Sequence, residues 1–188
     1  EMDFKQFLAK LDITEEPVEM EDILFEVVED QLTNEMFTDD MALYVEMMED
    51  NYHTSPIVGL AWGNNKKIYT TNNLAVFESQ PFIDWLMDET RKKNVYDAKR
   101  TYVALNRYVG KMTGIAFDVL LAAYLLDTND NNADIEGVAQ HYGYDAIQSD
   151  EAIYGKGAKK GLPEDEEVFF GHLARKIKAI QFLTSKLD

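Results

Sequence analysis

Aspartate and glutamate make up 35 of the 188 residues, against 18 lysines and arginines, 3 histidines and no cysteine. Carboxylates converging on one point are the ligand set of two-metal phosphodiester chemistry, in which hard dications orient and activate the reacting oxygens. With so many acids, abundance identifies none of them. A run such as residues 164–167 falls where the last helix should begin, where anionic side chains stabilise the positive end of the helix dipole, and it reads as capping. The histidines, at positions 53, 141 and 172, have no spacing useful to a metal. The lack of cysteine removes disulfides, zinc-thiolate sites and thiol nucleophiles. No Gly-x-Ser-x-Gly elbow or phosphate-binding glycine loop occurs. The stretch Gly155-Lys156-Gly157-Ala158-Lys159-Lys160 follows no predicted strand and lacks a Gly-Lys-Ser/Thr ending, so it reads as a solvated loop. Arg91, Lys92 and Lys93 read as a solvated helix exit.

The net charge of −17 is uneven: residues 1–50 hold 17 acids and 2 bases. Non-specific nucleic-acid binding is driven by cations that release counterions from phosphate, so a chain this acidic should bind DNA poorly when alone. The length and the 46% hydrophobic content suit one α/β or α+β domain. The longest apolar run, residues 119–126, falls short of the roughly 18 residues that span a bilayer, and no charged-then-apolar leader opens the chain. The lack of cysteine fits a reducing compartment, and the cytoplasm is the default expectation.

These residues must be positioned by recognisable elements. Phe4, Phe7, Leu8 and Leu11 form the stripe of a short helix that Glu15-Glu16-Pro17 ends. Residues 23–28, 42–48, 57–62 and 67–70 are short β-rich runs, the last two joined by Gly63-Asn64-Asn65, good hairpin chemistry. The period then changes. Residues 77–90 read as mostly helical, 94–96 as a buried strand, and 98–109 as a helix with Ala98, Tyr102, Leu105 and Val109 on one face. Phe117, Leu120, Leu121, Tyr124 and Leu125 trace a strong amphipathic helix, left through the polar run 127–132. A helix over 134–142, a loop over 155–163 and a long helix from 164 onward follow, the last with Phe169, Leu173, Ile177 and Ile180 on its apolar face. Antiparallel strands followed by α-β-α on one mixed sheet is a standard layered architecture.

Two stretches carry a closer resemblance: Gly114-Ile115-Ala116-Phe117-Asp118 with the following Leu120-Leu121-Ala122-Ala123-Tyr124-Leu125-Leu126, and Asp150-Glu151-Ala152-Ile153-Tyr154 running into the Gly155–Lys160 loop. Glu49-Asp50-Asn51-Tyr52-His53, Pro56-Ile57-Val58-Gly59 and Asp88-Glu89-Thr90-Arg91-Lys92-Lys93 support it. They resemble the 3′-to-5′ exonuclease-like domain of bacterial DNA polymerase I, of the large-fragment type found in Gram-positive bacteria. The resemblance covers about residues 17–188 and implies a ribonuclease H-like α/β fold. It implies that residues 1–16 are the helical tail of a preceding 5′ nuclease domain with an acidic linker, and that residues 183–188 begin the polymerase thumb.

In active members two divalent metals, such as Mg or Mn, are held by an Asp-x-Glu pair on the first core strand, an Asp on a middle helix and an Asp in a Tyr-x-x-x-Asp motif on the last helix. Residues i and i+2 of a strand share a face, which is why that pair works. Here the pair falls on Tyr44 and Glu46, with Met48 next; a one-residue slip brings only Leu43, Val45 and Met47. The family's spacing places the middle-helix Asp at Thr101, a poor ligand for a hard dication. Asp97, one turn earlier, reads as a helix N-cap. The Tyr-x-x-x-Asp pair falls on His172 and Lys176, with the charge inverted. Like charges about 4 Å apart repel by several kcal/mol at an effective dielectric near 20, doubled for a dication, so an ammonium opposes metal binding. A Lys176–Glu46 pair is expected instead.

The expected function is a degenerate, non-catalytic exonuclease-like domain, without metal or cofactor, that supports DNA synthesis in replication and repair. Its partners would be the polymerase and 5′ nuclease domains of the same chain, with DNA reached only through the parent protein, no membrane, and a monomeric state. Two alternatives compete. One is a residual one-metal exonuclease using Glu46, Asp97 and Asp118; the other is a protein-interaction module using the acidic segment 12–21.

Overall fold

The computed structural model describes residues 23–29, 31–110, 112–126 and 134–187. The predicted helix at 4–11 and the acidic segment 12–21 lie outside these residues. Among the described residues six strands form one mixed sheet in the order β1-β4-β3-β2-β5-β6. They are β1 (Glu26–Val27), β2 (Met41–Met47), β3 (Ile57–Gly63), β4 (Ile68–Thr71), β5 (Lys93–Val95) and β6 (Ile115–Asp118). β2, β3 and β4 pair antiparallel, while β5 runs parallel to β2 and β6 parallel to β5. At the predicted turn the Asn64 side chain accepts from the amides of Lys66 and Lys67, which locks the β3–β4 hairpin.

The helices are α1 (Gln80–Leu86), α2 (Ala98–Asn106), α3 (Val119–Leu126), α4 (Ile135–His141), α5 (Asp150–Tyr154) and α6 (Glu166–Leu187). Strand alternation sends β2 side chains to two cores, one on each face of the sheet. Leu43, Val45 and Met47 join Trp62, Phe82 and Trp85 in one of them. Ala42 and Tyr44 join α3, α4 and the apolar face of α6 in the other, with Phe169, Leu173, Ile177 and Ile180 all buried there as the periodicity predicts. The long helix lies flat on the sheet because Gly59 has no side chain: a Cβ there would stand 2.8 Å from Phe169 Cζ and 3.0 Å from Leu173 Cδ1.

Several expectations need correction. The run 23–28 yields only a two-residue strand, and it pairs parallel with β4, not antiparallel. The helix predicted over 77–90 is split, with a 3₁₀ turn over Leu74–Glu78 before α1, whose second residue Pro81 suits a helix start. Lys93, expected in a solvated helix exit, is instead buried in β5, and the loop over 155–163 holds a 3₁₀ turn over Gly157–Lys159. The largest departure concerns the stripe assigned to 117–125. Phe117 belongs to β6, and Val119 and Ala123 are the buried residues of α3, while Leu121, Tyr124 and Leu125 face outward. An eight-residue helix without a charged side chain has no polar face to mark its orientation, so periodicity cannot choose one. Among the described residues no helix is long and apolar enough to cross a membrane.

A candidate nuclease cleft closed by its own cations

At the C-terminal end of β2 a cleft of about 320 Å³ opens, with Tyr44, Glu46, Arg100, Asp150 and Lys176 among the residues lining it. β2 supplies Tyr44 and Glu46 from one face, as i, i+2 alternation requires. α6 supplies His172 and Lys176 from successive turns, and α5 supplies Asp150 and Tyr154 in the same i, i+4 relation.

Lys176 stands at the centre. Its ammonium lies 2.7 Å from Glu46 Oε2, 2.8 Å from Asp150 Oδ1 and 3.2 Å from the Tyr44 hydroxyl. An ammonium has three protons to give, and three acceptors surround this one. Glu46 is equally well satisfied: Tyr154 donates to Oε2 at 2.7 Å, and Tyr44 and the Met47 amide donate to Oε1, both at 3.3 Å. Arg100 holds a guanidinium nitrogen 4.0 Å from Glu46 Oε1 and donates another to the Val45 carbonyl at 2.9 Å. Both cations also lie near the Tyr44 ring, with Lys176 Nζ 4.5 Å and Arg100 Cζ 5.0 Å from its centroid, within cation–π range. His172 Nε2 lies 2.7 Å from Asp150 Oδ1.

The electrostatics follow from this packing. Burial opposes the charge on Lys176, yet Glu46, Tyr44 and Asp150 outweigh it and hold the ammonium well above the ordinary lysine value. Burial likewise opposes the charge on Arg100, and Tyr44 and Glu46 again outweigh it. For Asp150 burial favours the protonated form, but the His172 hydrogen bond and Lys176 keep its carboxyl well below the usual range. At His172 burial prevails and lowers the pKa, so the neutral ring donates its Nε2 proton to Asp150 near neutral pH. Burial raises the phenols of Tyr44 and Tyr154, which remain neutral donors. Two carboxylates therefore face two protein cations, with Glu46 and Lys176 buried and Asp150 half-exposed at the cleft.

Glu46, Asp150 and His172 are the one group among the described residues whose ligand atoms come within 4.8 Å of one another in a metal-like way. They do not fit a pair of dications. Lys176 occupies hydrogen-bonding distance of both carboxylates, and a dication there would meet a fixed positive charge inside a low-dielectric site.

Of the residues singled out in the sequence, Tyr44, Glu46, His172 and Lys176 are brought together, and the expected Lys176–Glu46 pair is present. Thr101 is not part of the group: it is buried, and its hydroxyl donates to the Asp97 carbonyl at 2.9 Å. One residue earlier is about 100° around the helix, and Arg100 is the α2 side chain that reaches Glu46. Asp97 reaches the cleft wall, but its carboxylate accepts from the Arg100 amide as an N-cap. Asp118 accepts from the amides of Asp97 and Ala98 and from those of Leu120 and Leu121. It thereby caps α2 and α3 together and does not line the cleft. Asp150, Tyr154 and Arg100 escape the sequence reading. The spacing Asp150-x-x-x-Tyr154 is the signal that could have found the first two, but only the fold shows that this short helix faces β2.

Comparison with known proteins agrees with this architecture. The chain is 41% identical over 191 residues to DNA polymerase I of Geobacillus stearothermophilus, an alignment spanning 100% of this chain and 21% of that protein. It is 39% identical over 173 residues to DNA polymerase I of Bacillus subtilis (strain 168), covering 92% of the chain and 19% of the relative. The chain thus spans about a fifth of the length of these relatives. The solved structure of Brucella melitensis NrnC with bound Mg²⁺ superposes with a TM-score of 0.64 at 14% identity, over 87% of this chain and 78% of that one, a likeness of fold. The family model described as "DNA polymerase I, ribonuclease H-like domain" matches residues 43–183, the interval from β2 through α6 that builds both the sheet and the cleft, and to that family the chain belongs.

Proposed function

We propose that this segment is a degenerate 3′–5′ exonuclease-like domain that performs no hydrolysis and serves as structural support for DNA-templated synthesis by the rest of a bacterial, cytoplasmic DNA polymerase I. The observation that carries the reading is Lys176, hydrogen-bonded to Glu46 at 2.7 Å and to Asp150 at 2.8 Å. An ammonium in that place supplies charge balance but has no open coordination position for a phosphate oxygen or a water, and so cannot do what a catalytic dication does. Arg100 completes the neutralisation. Nucleotide addition, and contact with DNA, fall to other parts of the parent polypeptide, with the polymerase and 5′ nuclease portions as intramolecular partners of a monomer.

Isothermal titration with Mn²⁺, followed by incubation with a 5′-labelled single strand, tests this. The expected result is no heat of binding and no shortening of the strand. Stepwise 3′ shortening that needs Mn²⁺ and disappears in Glu46→Ala would replace the proposal with a one-metal nuclease in which an ion held by Glu46, Asp150 and His172 displaces Lys176.

A further inference from the structure

A pocket of about 280 Å³ opens between α5 and the start of α6, and none of its lining residues lines the nuclease cleft. Ile153 and Val168 supply apolar wall, while Gln148, Asp165 and Glu167 bring polar groups. His172 lines it as well, although that residue is only 2% exposed. One of its ring nitrogens is engaged elsewhere: Nε2 lies 2.7 Å from Asp150 Oδ1. The other, Nδ1, has no hydrogen-bond partner among the described residues. Burial keeps the ring neutral, and with the proton on Nε2 the second nitrogen is purely an acceptor. Buried acceptors in folded proteins find donors, and here the donor has to come from the pocket.

We propose that this pocket is a binding site for a small primary alkylammonium ion, which donates to His172 Nδ1, takes Glu167 and Asp165 as counter-charges and lays its carbon chain on Ile153 and Val168. The proposal does not rest on the reading of the cleft as catalytically silent.

The surroundings select this class of ligand. An anion would meet two carboxylates. Arg175 also lines the pocket, but its guanidinium folds back along α6: Nη1 lies 3.2 Å from where a Cβ on Gly171 would stand, with the Phe25 ring 3.9 Å from the same point. A metal ion needs several ligand atoms converging, and the one such group among the described residues joins His172 to Glu46 and Asp150 at the cleft, not to Asp165 or Glu167. Water or a neutral alcohol satisfies Nδ1 but leaves the acids uncompensated. An alkylammonium brings donors, a positive charge and an apolar stem in one molecule. The volume lies just below the usual range of small-molecule pockets, which suits a short chain. Donation to Nδ1 polarises the ring and strengthens the Nε2–H bond to Asp150, whose same oxygen accepts from Lys176 at 2.8 Å. An occupant is thereby felt in the cleft.

NMR of ¹⁵N-labelled histidine rings in the 188-residue chain tests the proposal, with putrescine and n-butylammonium as probes, 1-butanol as the neutral counterpart, and His53 and His141 as internal controls. The expected result is a saturable shift of the His172 Nδ1 resonance toward that of a nitrogen accepting a hydrogen bond, with both amines and without comparable movement of the two controls. Glu167→Gln, which removes one charge without touching the cleft, should weaken binding at least threefold. Val168→Trp, which fills the pocket, should abolish it, and 1-butanol should bind at least tenfold more weakly than n-butylammonium. The absence of any saturable shift in a resolved His172 signal would overturn the proposal. So would equal shifts at all three histidines, which report diffuse screening of an acidic chain, or a His172 shift that survives Val168→Trp. None of these readouts depends on nuclease activity.

Discussion

The Lys176 ammonium and the Glu46 carboxylate lie 2.7 Å apart, with side chains only 3% and 1% exposed. Pairing compensates each charge for water it has lost, and removing either partner strands the other in the interior. Lys176→Met and Glu46→Gln should each destabilise the domain by about 3–5 kcal/mol. The double variant should be less destabilised than the sum of the two, because no orphaned charge is left. Urea unfolding of the four proteins measures the coupling directly. An additive result would mean that the pair contributes no more than its surroundings.

The same relationship predicts how cations are excluded. Lys176→Asp removes the intrinsic cation and adds a carboxylate beside Glu46 and Asp150, so the variant should be less stable than the parent without metal and should recover with Mn²⁺. At a free Mn²⁺ concentration about a hundred times its dissociation constant the recovery is worth about 2.7 kcal/mol. The wild-type melting temperature should not respond to Mn²⁺ over that range. Differential scanning fluorimetry against Mn²⁺ concentration separates the two.

Gly59 sets the height of α6 above the sheet. Gly59→Ala would place a methyl group 2.8 Å from Phe169 Cζ, and overpacking of this kind costs about 1–3 kcal/mol. Phe169 and Leu173 are buried among other core side chains and cannot swing clear cheaply. The helix should lift, so the loss of stability should be partly recovered by Phe169→Leu in the same protein, as read from thermal unfolding.

Lys93 carries a separate pH signature. Its ammonium is buried, donates to the carbonyls of Asp88 and Arg91 at 3.0 and 2.6 Å, and lies 5.0 Å from the Trp85 ring centroid. Burial lowers its pKa to about 8. Between that value and the unfolded value near 10.4 the unfolded chain binds the extra proton, so stability rises with pH across this window. Relative to Lys93→Met, the wild type should gain on the order of 2–3 kcal/mol from pH 7 to pH 10.5, measured by urea unfolding at each pH. A difference that stays constant with pH would show that Lys93 does not titrate in the folded protein.

Much of the frame was legible in the residues themselves. The alternation of Tyr44 and Glu46 on one strand, the Asn64 turn and the α6 face from Phe169 to Ile180 are local patterns, fixed by periods of 2 and 3.6 that need no neighbour to be read. The Lys176–Glu46 pair was expected only through the family resemblance, which sets Lys176 where active members carry an Asp and so opposite the one acid of β2; spacing alone does not bring the two together. Asp150, Tyr154 and Arg100 were not legible. They enter the cleft through contacts between residues 46 and 150, 46 and 154, and 46 and 100, and no local period encodes a meeting of segments so far apart. The orientation of α3 was equally beyond the sequence, since Val119 to Leu126 are apolar on every side and only packing against α6 decides which of them face inward. Sequence determines what a segment can bury and which charges it brings; tertiary structure decides which charges meet, because a buried charge is tolerated only where the fold delivers its partner to hydrogen-bonding distance.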